Sequence, residues 1–293
     1  MQKITPHLWF DKEAREAAEL YASIFSNSAI HSVKTLRNTP SGSVDLVSLS
    51  LAGHEFKFLS AGPFVKFTPA VSFLVACQTK DEVDAIWNPL SKGGEPLMPL
   101  ASYPFSQHYG WIQDRYRLSW QVMFMGDRPI QQKITPTLMF VGAQCGRAQE
   151  AVNLYTSIFP NSKIDHLLPY AKNEEPDKEG TIKHAGFTLN GDKFAAMDSA
   201  QAHNFTFNEA ISFMVNCETQ TEIDHYWHKL SADPNAGQCG WLKDRFGLSW
   251  QVIPSALGRM LSDPDQAKVA RVTAAFLQMK KFDLAKLEEA YRQ

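Results

Sequence analysis

At 293 residues, with 44% apolar and 12% aromatic side chains, the chain is long enough for two ordinary domains with separate cores. Acidic and basic residues nearly balance at a formal charge of −2 and no Lys/Arg run stands out, so neither a nucleic-acid nor an anionic-membrane partner is expected. There is no basic-then-apolar leader and no apolar run near the roughly 18 residues of a spanning helix, which points to a soluble, cytoplasmic protein.

Residues 4–10 read as a strand, with Leu8 and Phe10 on one face and His7 and Trp9 on the other. Asp11 is then placed to cap a helix over residues 12–25, where Ala14, Ala17, Ala18, Tyr21, Ile24 and Phe25 recur at steps of three and four as one buried stripe. Residues 29–36, 44–51 and 55–59 follow as short strands, separated by Pro40-Ser-Gly42 and Gly53. This gives a β-α-β-β-β set. The set then restarts with a strand at 70–77. Thr79-Lys-Asp-Glu82 is a capping box that opens a helix with the stripe Val83, Ile86, Trp87, Leu90. A hairpin at 97–101 and 110–114 and a closing strand at 118–124 complete it. The arm between residues 95 and 109 carries Met98, Leu100, Tyr103 and Phe105. It either packs across a domain or subunit seam, as in a homodimer, or folds back on its own sheet.

The pattern is then repeated. Lys3-Ile-Thr-Pro-His-Leu-Trp-Phe10 returns as Lys133-Ile-Thr-Pro-Thr-Leu-Met-Phe140, the capping box returns as Thr219-Gln-Thr-Glu222, and Tyr109-Gly-Trp-Ile-Gln-Asp-Arg-Tyr-Arg-Leu-Ser-Trp-Gln-Val122 returns as Cys239-Gly-Trp-Leu-Lys-Asp-Arg-Phe-Gly-Leu-Ser-Trp-Gln-Val252. A period of about 130 residues is far above that of solenoid repeats, so each copy should be a whole domain. The boundaries fall at 1–128, 132–255 and 256–293, with four β-α-β-β-β modules in all. The second copy has four residues inserted near 141–146 and ten deleted before Cys239. The last segment holds two helices, beginning at Pro264 and Asp283, that dock on a domain surface or a partner chain. The four cysteines, Cys77, Cys145, Cys217 and Cys239, form no CxxC pair, which speaks against a disulfide framework or zinc knuckle. Cys77 and Cys217 occupy equivalent strand ends and read as buried thiols.

With four β-α-β-β-β modules, Ile-Thr-Pro-x-Leu-x-Phe at the start, and Gly-Trp-x-x-Asp-Arg-[Tyr/Phe]-x-Leu-Ser-Trp-Gln-Val at the close, residues 1–255 resemble a tandem PhnB-like protein. That family lies in the glyoxalase, or vicinal-oxygen-chelate, superfamily and is often labelled 3-demethylubiquinone-9 3-methyltransferase. The resemblance implies an α+β fold of two glyoxalase-like domains, the paired modules of each copy forming a cupped sheet, followed by the helical tail. It also implies metal ligands on first and last strands, commonly a His and a carboxylate. Carried over, those positions are His7, a residue near Ser60, Ser72 and Gln121 in the first copy, and Thr137, Asp198, Ser212 and Gln251 in the second. Glutamine stands where the superfamily usually has glutamate, and a neutral amide does not offset the charge of a divalent ion. His7 is the best single metal candidate.

Strand parity places His7, Trp9, Ser48, Ser50, Ser72, Ser119 and Gln121 in one cup. Thr137, Met139, Thr188, Ser212, Met214, Asn216, Ser249 and Gln251 fall in the other. Asp198 is either an acid or base in the site or an N-cap or turn carboxylate. Trp111 and Trp241 read as packing residues, and Asp114-Arg115 and Asp244-Arg245 as the turn into the closing strand. The expected function is small-molecule binding with a degenerate or absent metal site, whether or not the protein is an enzyme. The first alternative is a divalent-metal lyase, isomerase or dioxygenase. A methyltransferase comes last, because no GxGxxG-like run is present to hold a nucleotide cofactor.

Overall fold

The computed structural model describes residues 2–39 and 42–293, so Pro40 and Ser41 of the expected turn lie outside the described residues. The first module is β1 (Ile4–Phe10), α1 (Ala14–Ile24), β2 (Ala29–Thr39), β3 (Gly42–Leu51) and β4 (His54–Ser60). The second is β5 (Val71–Cys77), α2 (Lys80–Ser91), β6 (Glu95–Tyr103), β7 (Ser106–Gln113) and β8 (Ser119–Phe124). The second copy repeats them as β9 (Ile134–Val141), α3 (Ala148–Ile158), β10 (Lys163–Pro169), β11 (Ile182–Leu189) and β12 (Asp192–Ser199), then β13 (Ile211–Cys217), α4 (Gln220–Leu230), β14 (Trp241–Lys243) and β15 (Ser249–Pro254). The tail forms α5 (Ser255–Met260), α6 (Gln266–Leu277) and α7 (Leu284–Arg292), of which α5 was not legible in the sequence.

By contacts the chain divides into two compact units, His7–Ile211 and the chain up to Pro6 together with Ser212–Gln293. In the first unit an eight-stranded mixed sheet runs β10-β11-β12-β9-β5-β8-β7-β6. The modules paired in it are the second of the first copy and the first of the second copy, joined where β5 meets β9 antiparallel with Ser72 opposite Thr137. Alternation along β5 and β8 sends Val71, Phe73, Val75, Trp120 and Val122 to the helix side, where all are buried. Each such aromatic or branched side chain contributes about 2 kcal/mol through burial. The arm folds back as β6, the edge strand, with Met98 opposite Trp111 and Ala101 opposite Tyr109. The same unit holds a second set of strands, in which β1 pairs β4 in parallel and β4-β3-β2 continue antiparallel.

Helix starts follow local chemistry at α2, α4, α6 and α7. Thr79 accepts from the Glu82 N–H at 3.1 Å and Glu82 accepts from the Gln78 N–H at 2.7 Å, a complete capping box. The ammonium of Lys133, the residue that opens the second copy, reaches the same Glu82 at 2.5 Å. Lys3 does likewise to Glu222 at 2.7 Å, so the opening lysine of each copy is tied to the capping box of the other. α1 and α3 are instead capped from distant strands, and α1 shows how. Asp11, the expected cap, is not used, and the first N–H of the helix, at Ala14, goes instead to Ser60 Oγ at 3.0 Å.

In the second unit the ten-residue deletion leaves the fourth module one strand short. The tail covers that edge. Cys239 and Gly240 donate their N–H groups to the carbonyls of Met279 and Lys280, both at 2.7 Å, and Gln238 Nε2 donates to Leu277 O at 2.7 Å. Phe282, 1% exposed, fills the space beside Gly240, where a Cβ would stand 2.5 Å from its ring. Phe282→Ala is therefore expected to cost about 3 kcal/mol. It should also release the tail to limited proteolysis near residues 276–283. An unchanged digestion pattern would mean that the backbone bonds alone dock it.

Candidate functional site

The face of the eight-stranded sheet away from its helices carries the densest set of sequence-predicted residues. Gln121 lies there between Leu74 of β5 and Trp111 of β7, and Ser72 lies opposite Thr137. Gln121 Nε2 donates to Ser72 Oγ at 2.8 Å, while Tyr109 Oη donates to Gln121 Oε1 at 2.8 Å. Trp111 Nε1 donates to Ser119 Oγ at 2.7 Å. Burial pushes the Tyr109 phenol well above its ordinary value, so it remains a donor. Thr137 is 5% exposed and its Oγ1 has no partner.

This network leaves defined capacity unspent. Ser72 keeps its own O–H, Gln121 keeps one N–H and one lone pair, and Thr137 offers both a donor and an acceptor. None of these groups is charged. Apolar surface surrounds them, supplied on the same face by Leu74, Trp111, Met139 and Ala195. The structure thus brings Ser72, Ser119 and Gln121 together with Thr137. This corrects the expected grouping by copy. His7, Trp9 and Ser48 lie on β1 and β3, in the other set of strands, because the long sheet is completed between copies.

His7 is buried, and its Cα partner on β4 is Lys57. Burial, with Lys57 adding to it, pushes the imidazole down to about 3, so it is neutral near pH 7. Lys57 is itself pushed down by burial and donates to Ser48 Oγ at 2.8 Å. A cation at His7 would have to sit beside that amine. Trp9 Nε1 donates to Gly62 O at 2.9 Å.

Asp198 does not face this network. It pairs with Phe140 on the helix side, and it is fully buried. Its Oδ1 accepts from the N–H groups of Gly146 and Ala148 at 2.7 and 3.1 Å, and its Oδ2 from Ile182 at 2.8 Å. Ser60 holds the same place in the first module and binds Ala14. The strand-end residue of each first module is thus a helix cap reaching across some fifty residues, and the carboxylate serves the backbone. In the second unit Gln251 Nε2 donates to Ser212 Oγ at 2.9 Å, the same clasp as Gln121 with Ser72.

The donor set of the eight-stranded face consists of hydroxyls and amides. Among the described residues no group of three or more His, Cys, Asp and Glu side chains could hold a metal ion. The divalent ion that the sequence resemblance implies is therefore a poor match for the residues on this face. Tyr109 is the participant that sequence reasoning missed. Its signal was available, since tyrosine opens the repeated closing motif in the first copy where the second has Cys239.

Residues 2–123 and 132–253 each match the model of the family described as 3-demethylubiquinone-9 3-methyltransferase. Comparison with curated proteins gives no match. Among solved structures, a PhnB protein from Bacillus cereus is 37% identical, covering 42% of this chain and 99% of its own, with a TM-score of 0.40. One mutant of glyoxalase I from Zea mays is 11% identical over 87% of this chain and 95% of its own, with a TM-score of 0.54. A second mutant of the same enzyme is 11% identical over 86% of this chain and 94% of its own, with a TM-score of 0.52, so these two are likenesses of fold. No helix among the described residues is long and apolar enough to cross a membrane. With the family model matched twice along one chain, in a fold like that of glyoxalase I, the protein belongs to the 3-demethylubiquinone-9 3-methyltransferase family and carries two copies of it in tandem.

Proposed function

We propose that the protein binds a small, uncharged, flat organic molecule carrying a hydroxyl or carbonyl group on the face built by Ser72, Tyr109, Trp111, Gln121 and Thr137. The observation that carries this is the buried Thr137 hydroxyl without a partner, set beside a Ser72–Gln121–Tyr109 chain that still has donors and acceptors to spend. An unsatisfied buried hydroxyl costs about 1–3 kcal/mol, and a ligand oxygen would relieve that cost. Trp111 and Leu74 supply apolar contact, while the uncharged polar groups favour a neutral ligand over an anion.

The probes are catechol, hydroquinone and 1,4-naphthoquinone, each titrated calorimetrically into tag-free protein. At least one should bind saturably, and Thr137→Val, nearly isosteric, should weaken that probe about tenfold without lowering the melting temperature. Absence of binding by all three at millimolar concentration, or unchanged affinity in the variant, would sink the proposal. Methyl transfer, which the family description names, has less support, since no glycine-rich turn for a nucleoside cofactor is present in the sequence. S-adenosylmethionine should accordingly give no saturable binding at micromolar concentration.

A further inference from the structure

Towards the other end of the same sheet, two histidines meet in a way that the first copy lacks. A bulge in β10 between Ile164 and His166 makes Asp165 the extra residue. Such a bulge re-aims the side chain that follows it. His166 then stands opposite Gly186, and a Cβ on that glycine would lie 2.4 Å from His166 Cε1. Only glycine lets the ring lie across the strand. In that position His166 Nε2 is 2.8 Å from His184 Nδ1, with the rings 7° from parallel. His166 is exposed and His184 half-buried, so the nitrogen pair is open to solvent on one side.

The first copy has the same frame and the same bulge, between Ile30 and Ser32. There Ser32 stands in the place of His166, Ser48 in that of Gly186, and Leu46 in that of His184. All three residues differ together, as expected if they serve one purpose in the second copy.

We propose that His166 and His184 hold a soft, singly charged transition-metal ion, copper(I), in place of the proton they now share. Imidazole nitrogens bind such an ion at about 2 Å, and two ring nitrogens facing each other provide a digonal site after a small outward swing of the exposed ring. The surrounding charge selects against a divalent ion. The carboxylate of Asp165 is engaged by Lys193 at 2.9 Å, Lys163 at 3.1 Å and the Thr188 hydroxyl at 2.8 Å. Arg128 adds a positive field at His184.

The test is anaerobic competition for copper(I) against bicinchoninate, in a Cys145→Ser, Cys239→Ser background so that the two partly exposed thiols do not contribute. One equivalent should be withdrawn from the chelator. His166→Ser and His184→Leu, which install the residues of the first copy, should each weaken uptake at least about tenfold while leaving circular dichroism unchanged. His166 is exposed, so its variant keeps the test valid even if His184→Leu disturbs the fold. No withdrawal at micromolar copper, equal uptake by His166→Ser, or a preference for zinc(II) over copper(I) would each overturn the assignment.

Discussion

Replacing Asp114 by alanine is expected to lower stability by about 4 kcal/mol or more, one of the largest effects of any single substitution in this chain. Its carboxylate is 1% exposed and accepts four hydrogen bonds: from Tyr21 Oη at 2.5 Å, Trp120 Nε1 at 3.0 Å, and the N–H groups of Tyr116 and Leu118 at 2.8 and 3.1 Å. Alanine would strand four buried donors, each costing about 1–3 kcal/mol, and would open a void between the indole and the phenol. Asp114→Asn preserves the volume but turns an N–H₂ group towards donors, so it should recover only part of the loss. Urea denaturation of the two variants measures both effects. The duplication supplies a replicate, since Asp244 accepts from the N–H groups of Phe246 and Leu248 at 2.8 and 3.1 Å and from Trp250 Nε1 at 2.9 Å. A loss below about 1 kcal/mol at Asp114 would show that water replaces the carboxylate and that the closing turn stands without it.

That hub explains why the closing motif is the strongest signal in the sequence and yet carries little chemistry. Its Asp binds residues two, four and six positions ahead, so the spacing is fixed by a turn and by the reach of an indole. Local patterns of this kind were legible, as were the strands, the capping boxes at Thr79 and Thr219, and the face on which each strand residue sits. What escaped was anything decided at long range. Parity put Ser72 and Gln121 on the correct face but could not say that Thr137 lies opposite Ser72, because pairing between β5 and β9 joins two copies. Asp198 and Ser60 were drawn towards the site by family position, although both bind helix N–H groups about fifty residues away. The missing strand of the fourth module was hidden in the same way, since a deletion of ten residues does not announce that the C-terminal tail will cover the edge. Tyr109 could have been found by asking which positions of the duplicated motif differ, and the same comparison isolates His166, Gly186 and His184.

The second large effect is on acid stability and falls on His7. Burial holds its imidazole at about 3, against an ordinary value near 6.5, while an unfolded chain would protonate it in the usual range. Between those two values the unfolded state binds a proton that the native state does not, so stability falls as pH falls. Each pH unit in that window is worth about 1.4 kcal/mol, which gives roughly 2 kcal/mol by pH 5 and up to about 5 kcal/mol across the full interval. Asp114 acts in the opposite sense. Burial raises its carboxyl above the ordinary value, so its contribution is fully present below about pH 4 and fades as pH rises through its folded value. His184, held at about 4, titrates in the same sense as His7, so the share of His7 is read as the difference between the wild type and a variant that lacks its ring. His7→Gln removes the titrating group while keeping a polar side chain opposite Lys57. In EDTA-containing buffer the wild type should lose about 2 kcal/mol more than His7→Gln between pH 7 and pH 5, read from urea midpoints at constant m-value. Parallel pH profiles would mean that water reaches the ring. His7 would then regain its standing as a solvated, titratable member of the site, and its neutral state near pH 7 would no longer follow from burial.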